Sequence, residues 1–436
     1  MKPELNNKVL KNFSYLGIVQ LLNYIFPIIT IPLVARVLGL EKLGLVNYIF
    51  SYVAYFSLIV TYSFNFSAVR RYSETQNINK VFGLTFSSQC YLFVFSTLGY
   101  ILLVTVIDDL RNNLLLSLIA YLAVATVLFE KNWVFQVYQE LKILALVNFV
   151  IKFLTTILIF FIINKKEDYI YYALILNGVN FLTTLTTFFY CQYRYRIQWR
   201  FHRINEVFKN LQLEKALFFS AIVISLYTTT NIVLLGYFSN VEEVGLYTAA
   251  QKILDIGKMF LILPVTQIIY PIVSLKIKQN TEAGVDFVRK LMPIFLYSSL
   301  ILVLGTIIFG PLVLYVLYGS DFMGAIPILL ILSISSFFSF FSAVFGILIM
   351  LNLDMDKYFL NNQIFVACFS VLTLILILPK GGAITASVVL VLSEFFITSY
   401  QFYFLRKKGY FFITKEILKI SNLKKSLLLL RGGVDV

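Results

Sequence analysis

The sequence predicts an all-α integral membrane protein of about twelve transmembrane helices, in two six-helix halves related by a parallel pseudo-two-fold repeat, with both termini cytoplasmic. Three observations carry this expectation. The chain of 436 residues is 59% hydrophobic and 17% aromatic but only 13% charged, roughly half the charge of a soluble domain, which cannot solubilise a globule of this size. Its apolar residues fall in blocks of about 20, the length a helix needs to cross a hydrocarbon core about 30 Å thick. The Lys and Arg residues of the connections divide 27 to 6 between alternate sides, the asymmetry of the positive-inside rule.

In chain order, Lys2, Lys8 and Lys11 precede an apolar stretch at 12–35. A basic start before an apolar run mimics a signal peptide, but this run is too long, carries Gln20, Asn23, Pro27 and Pro32, and has no small-residue cleavage site, so a retained first span is expected. Spans follow at 45–67, 82–107, 114–137, 143–163 and 169–191. A basic connection with six Lys and Arg from Arg194 to Lys215 separates these from spans at 216–238, 245–272, 291–317, 324–350, 358–379 and 383–405. Runs such as Leu372–Leu378 are apolar at adjacent positions, where a membrane strand would alternate, so helices are expected. The halves are bounded at 1–205 and 206–405, with a basic cytoplasmic tail at 406–436 whose Ile417, Leu418, Leu423 and Leu427 alternate with lysines. That tail reads either as a solvated orientation signal or as an interfacial helix on anionic lipid.

Several functions are excluded. The net charge of +14 sits mainly in connections, as orientation requires, so nucleic-acid binding is not expected. Cys90, Cys191 and Cys368 are far apart and His202 is the single histidine, so neither a disulfide framework, a metal centre nor a His-based triad is expected. There is no phosphate loop, nucleophile elbow or HExxH motif. The exterior connections are too short for a catalytic domain, and no enzyme activity or cofactor is expected.

A repeat shows at an offset of 201 residues, where Glu41, Gly44 and Leu45 recur as Glu242, Gly245 and Leu246. Ionisable residues within spans are few: Lys152; Lys252, Asp255 and Lys258 together in the eighth; and Glu394. Such groups mark a pathway or a pair. The eighth-span trio is spaced three apart, on one broad helix face. It reads either as a self-satisfied ion cluster with snorkelling lysines or as a cationic cavity wall for an anionic substrate. Glu394 is either a neutral hydrogen-bonded carboxyl or a site that binds and releases H+ or Na+. Lys152 is expected to snorkel, and Arg70 to anchor at the interface. Spans one and seven are unusually polar, with Gln20, Asn23 and Thr30 in one and Ser225, Thr228 and Asn231 in the other. Pro27, Pro32 and Pro264 are expected to kink their helices.

The opening NFSYLGIVQLLNYIFPIITIPLVARVLGLEKLG resembles that of bacterial O-antigen and polysaccharide flippases of the multidrug/oligosaccharidyl-lipid/polysaccharide exporter superfamily. Further similarity runs through SFNFSAVRRYS, NWVFQVYQELKILALVN, VGLYTAAQKI and LYGSDFMGAIPILLIL. Where the family reads Trp-x-Phe-Gln-Gly-x-Glu, this chain has Val137 and Gln139 in place of the glycine and glutamate, so no carboxylate role is carried over there. The resemblance implies a flippase moving an undecaprenyl-pyrophosphate-linked oligosaccharide from the cytoplasmic to the periplasmic leaflet of the bacterial inner membrane by ion-coupled alternating access. Arg36, Lys252 and Lys258 become candidates for the pyrophosphate; Gln20, Asn23, Tyr24, Asn231 and Tyr247 for the sugars; Asp255 and Glu394 for H+ or Na+ coupling. A polysaccharide polymerase and a chain-length regulator are the implied protein partners. The alternative is a drug, metabolite or cation antiporter of the same superfamily. Its usual acidic cavity for cations contrasts with three embedded lysines against two carboxylates here.

Overall fold

The computed structural model describes residues 3–412 with Asn422, Leu423 and Ser426, omitting the side chains of residues 3–21, 23, 24, 216, 263, 267 and 268. The 406–436 tail therefore lies mostly outside the described residues, as do the side chains of Gln20, Asn23 and Tyr24. Every regular element among the described residues is helical. The chain divides into two compact units, Met1–Ser225 and Leu226–Val436.

Unit 1 holds α1 (Pro3–Thr61), α2 (Phe64–Thr75), α3 (Ile78–Val106), the short α4 (Asp108–Asn112), α5 (Leu114–Phe129), α6 (Asn132–Val137), α7 (Leu141–Ile162) and α8 (Tyr169–Arg194). The unit boundary falls inside α9 (Ile204–Thr228). Unit 2 continues with α10 (Thr230–Phe238), α11 (Val241–Leu263), α12 (Tyr270–Gln279), α13 (Thr281–Tyr318), α14 (Ile326–Ser342) and α15 (Asp356–Lys407).

Nine helical stretches among the described residues are long and apolar enough to cross a membrane, ten if Ile204–Lys215 and Leu217–Thr228, bent by 60°, count as one. Two of the nine, Ile25–Thr75 and Asp356–Lys407, have 51 and 52 residues, more than twice the ~20 of one crossing. Each contains a break at a glycine: Gly39 at φ 71°, ψ 179° and Gly382 at φ 53°, ψ −142°. Side chains with a Cβ are disfavoured in both conformations, so glycine is what lets the helix break there without a longer loop.

Two sequence expectations are corrected and one is refined. The fourth span runs over Leu114–Val137 as expected, but with a short break between α5, ending at Phe129, and α6, starting at Asn132. The ninth begins at Thr281, capped by Asn280, whose side chain accepts from Glu282 and Ala283 N–H at 2.9 and 3.2 Å. Pro264 opens a π-helical segment, Pro264–Ile269, where a simple kink was expected, and a second π segment, Ala343–Met350, contains no proline. Val265 and Ile269 of the first share one buried apolar cluster with Val344 and Leu348 of the second. Such π turns often mark functional bends.

Apolar stripes at helical spacing stay exposed, including Phe95, Leu98, Leu102 and Val106 on α3 and Ile301, Leu304, Ile308 and Leu312 on α13. Water would not tolerate such continuous patches; hydrocarbon does. Inside unit 1, α1 packs on α5 and α7, and α5 on α8. In unit 2, α14 packs on α11, α13 and α15. The protein is thus a multi-pass helical membrane protein.

Candidate functional site

The embedded charges of unit 2 gather around α11. Lys252, Asp255 and Lys258 are half-buried along it, and both lysines act electrostatically on Asp255. Lys258 also acts on Glu394, a buried carboxylate of α15 faced by the Ser339 hydroxyl of α14. Tyr227, at the end of α9, borders the same carboxylate. The sequence shows no neighbour for Glu394; the fold supplies Lys258. Among the described residues, none of these groups closes an ion pair within 4.0 Å, so the cluster is not a set of sealed salt bridges. One ammonium stands between two carboxylates on different helices, and whatever neutralises either carboxylate changes what Lys258 attracts.

Asn231 and Tyr247 are also brought together, Asn231 Nδ2 donating to Tyr247 Oη at 3.2 Å and to the Tyr227 carbonyl at 3.3 Å. Both are 0% exposed. They join α10 to α11 in the protein interior. Arg36 is exposed in unit 1, three residues before the Gly39 break. Gln20, Asn23 and Tyr24 fall on side chains outside the described set.

Two polar centres in unit 1 escape the sequence reading. Lys131, counted there as a connection residue, is 2% exposed. Its ammonium donates to Gln89 Oε1 at 2.8 Å and to the Leu128 and Glu130 carbonyls at 2.6 and 3.3 Å. It also lies 5.3 and 5.7 Å from the ring centroids of Phe86 and Phe188, within cation–π range. Glu214, from the basic connection, is buried and receives both Arg70 and Arg71. That replaces the expected interfacial anchoring of Arg70 with a bond from α2 to α9. Lys152 does not run free to an interface either; it stands in the wall of a polar cavity.

Fold and embedded charge together define a membrane protein of the transporter class. The fold is similar to that of the lipid II flippase MurJ in an inward closed conformation, with a TM-score of 0.69 at 15% identity, covering 95% of this chain and 91% of that one. It is also similar to an inward-facing multidrug resistance transporter of the MATE family and MOP superfamily, with a TM-score of 0.63 at 13% identity, covering 91% and 98%. In sequence the chain is 26% identical over 407 residues to a protein of Escherichia coli (strain K12) provisionally named an O-antigen transporter, covering 91% of this chain and 96% of that one. A protein of the same name from Shigella dysenteriae is 28% identical over 270 residues, covering 61% and 67%. Residues 9–275 match the family described as polysaccharide biosynthesis protein, and the chain belongs to that family. The resemblance drawn from the sequence is thereby borne out. These relatives are named as transporters and flippases, not as enzymes.

Proposed function

We propose that this protein is a flippase that carries an undecaprenyl-pyrophosphate-linked oligosaccharide, an O-antigen or related repeat unit, from the cytoplasmic to the periplasmic leaflet of the inner membrane by ion-coupled alternating access. The observation that carries the reading is the unsealed position of Lys258 between Asp255 and Glu394. H+ or Na+ at a carboxylate and a pyrophosphate at the ammonium act on one charge cluster, so each changes the affinity of the site for the other. Linkage makes this coupling reciprocal, with a typical size of about 1–3 kcal/mol, or roughly 5–150-fold in affinity. Lys252 adds a second cation on the same face, and Arg36 is a candidate for the anionic group in its own unit. Coverage of 96% of the E. coli relative supports the substrate class, and the π segments at Pro264–Ile269 and Ala343–Met350 supply bending points for alternating access.

On this reading the two arms of α1 and of α15 are separate crossings and the bent stretch of α9 is one, which makes twelve. The repeat has support in the breaks themselves: Gly39 lies beside Lys166 in unit 1 and Gly382 beside Glu243 in unit 2, so in each unit the first connection meets the last. The exported repeat unit would pass to a polymerase acting with a chain-length regulator.

Deleting the gene in its host tests the function. Build-up of undecaprenyl-pyrophosphate oligosaccharide on the cytoplasmic face, with loss of surface polysaccharide, is the expected result. Unchanged polysaccharide with a new drug sensitivity would replace the flippase by the antiporter.

A further inference from the structure

Unit 1 contains a cavity of about 290 Å3 among α5, α7 and α8. It belongs to no group discussed above except Lys152, and its wall has a definite chemistry. Thr126, Thr183 and Thr187 donate their hydroxyl hydrogens to the Leu122, Val179 and Thr184 carbonyls at 2.9, 2.8 and 2.9 Å. Asn148 and Asn180 donate from Nδ2 to the carbonyls of Leu144 and Leu176, and Asn132 to the Glu130 carboxylate. A hydroxyl whose hydrogen is spent on its own backbone keeps its oxygen as an acceptor, and an amide that spends one hydrogen keeps its oxygen and a second N–H, so these side chains present acceptors along the wall and one donor at each asparagine.

Two further groups have all their donors unspent. Asn177 is buried, and its Nδ2 has no partner among the described residues. No described side chain pairs with the ammonium of Lys152. A buried amide without a partner carries a desolvation cost of about 1–3 kcal/mol, which a ligand oxygen would remove. Ala123, Val147 and Ile151 supply carbon to the same wall.

The occupant that complements this wall brings hydrogens to many oxygens, one or two acceptors to Lys152 and Asn177, and a carbon face. A phosphate or carboxylate brings acceptors alone, leaves the threonine and asparagine oxygens without donors, and would meet the Glu130 carboxyl in the same wall. A bare cation would meet the Lys152 ammonium, and the volume is roughly that of ten waters in the liquid, far more than one ion fills. A single uncharged sugar ring has the required balance and size. We infer that this cavity is a subsite for one neutral sugar ring, with Lys152 and Asn177 donating to its oxygens. The inference rests on the reading that the cargo is an oligosaccharide, and it assigns one ring of that cargo to unit 1.

The test uses the full chain in lipid nanodiscs with Cys90, Cys191 and Cys368 replaced by alanine and a single cysteine introduced by Thr184→Cys. The probes are methyl glycosides of glucose, galactose, mannose and N-acetylglucosamine, with sodium phosphate and sodium chloride as anion and cation controls. At least one glycoside should slow modification by a small water-soluble thiol reagent about tenfold when present at about ten times its Kd, by simple occupancy, and the salts should not. Adding Asn177→Leu, which replaces the unpartnered amide by carbon, should abolish the protection. The unsubstituted protein gives a second readout, because the protecting glycoside should raise its thermal midpoint. Protection by phosphate or chloride salt alone, the same rate with every glycoside, or no reaction of the cysteine at all would each overturn the subsite. Failure of protection in a protein whose deletion strands lipid-linked oligosaccharide on the cytoplasmic face removes the subsite and leaves the flippase. Protection with normal polysaccharide in the deletion strain removes the flippase instead.

Discussion

Truncating Glu214 should loosen unit 1 by a predictable amount. The carboxylate is 1% exposed and takes Arg71 through Nε and Nη2 at 3.1 and 2.9 Å and Arg70 through Nη2 at 3.2 and 3.3 Å. The two arginines are unequal, with side chains 16% and 58% exposed for Arg71 and Arg70. Hydrogen bonds to a charged group contribute about 1.5–3 kcal/mol when shielded, whereas an exposed ion pair contributes about 0–1 kcal/mol. Glu214→Ala should therefore destabilise by about 2–4 kcal/mol, Arg71→Ala by about 2–3, and Arg70→Ala by less than about 1. The Arg71→Ala/Glu214→Ala double variant should be little worse than Glu214→Ala alone, since both remove one interaction. The assay is the thermal midpoint of the detergent-solubilised protein, followed by the fraction remaining monodisperse. An Arg70→Ala loss equal to that of Arg71→Ala, or additive losses in the double variant, would refute the account of a buried fork from α2 to α9.

Gly382→Ala should be more damaging than Gly39→Ala, as the same thermal assay would show. Both place a Cβ on a backbone that disfavours it, at about 1–3 kcal/mol, but only at Gly382 would the new carbon lie 2.9 Å from the Glu243 carboxylate, the acceptor for Ala383 N–H at 2.8 Å. Lys131→Ala should destabilise by about 2–4 kcal/mol, since it leaves Gln89 and two carbonyls without their donor; Lys131→Met, which keeps the chain length, should recover part of that loss. Glu394→Gln preserves volume and removes ion binding, so in a deletion strain it should restore surface polysaccharide at least about tenfold less well than the unsubstituted protein, with unchanged membrane abundance. Full restoration by Glu394→Gln would remove this carboxylate from the coupling.

The helices were legible because each apolar block announces itself through roughly 20 residues of local composition. The embedded charges were legible for the same reason, since Lys252, Asp255, Lys258 and Glu394 interrupt such blocks. What the sequence hides is partnership. Lys131 follows Glu130 and precedes Asn132 at the end of an apolar run, which reads as a connection; only Gln89 from α3 and Phe188 from α8 reveal it as interior. Glu214 sits among Lys209 and Lys215, and no spacing rule joins it to arginines more than a hundred residues earlier. Asn231 and Tyr247 were selected as separate polar groups in spans, and only the fold shows that they are hydrogen-bonded to each other. The π segment at Ala343–Met350 has no proline or charge to signal it, because it follows from packing against a neighbour.

Lys131 and Lys258 show why embedded charge alone does not locate a transport step. Lys131 is held by an amide, two carbonyls and two aromatic faces, with the Glu130 carboxyl and the thiols of Cys90 and Cys191 acting on it electrostatically. Its short hydrogen bonds make it a tie between α3 and the α5–α6 break. The surroundings of Lys258 are carboxylates on two helices, and carboxylates take up protons and metal ions. A shift in either one changes the field at the ammonium while the backbone stays in place. On the proposed reading an ion and an anionic headgroup act on this second arrangement. The ion-coupled step then belongs to unit 2, and unit 1, with its cavity of amides, hydroxyls and the Lys152 ammonium, holds the part of the cargo that carries no charge.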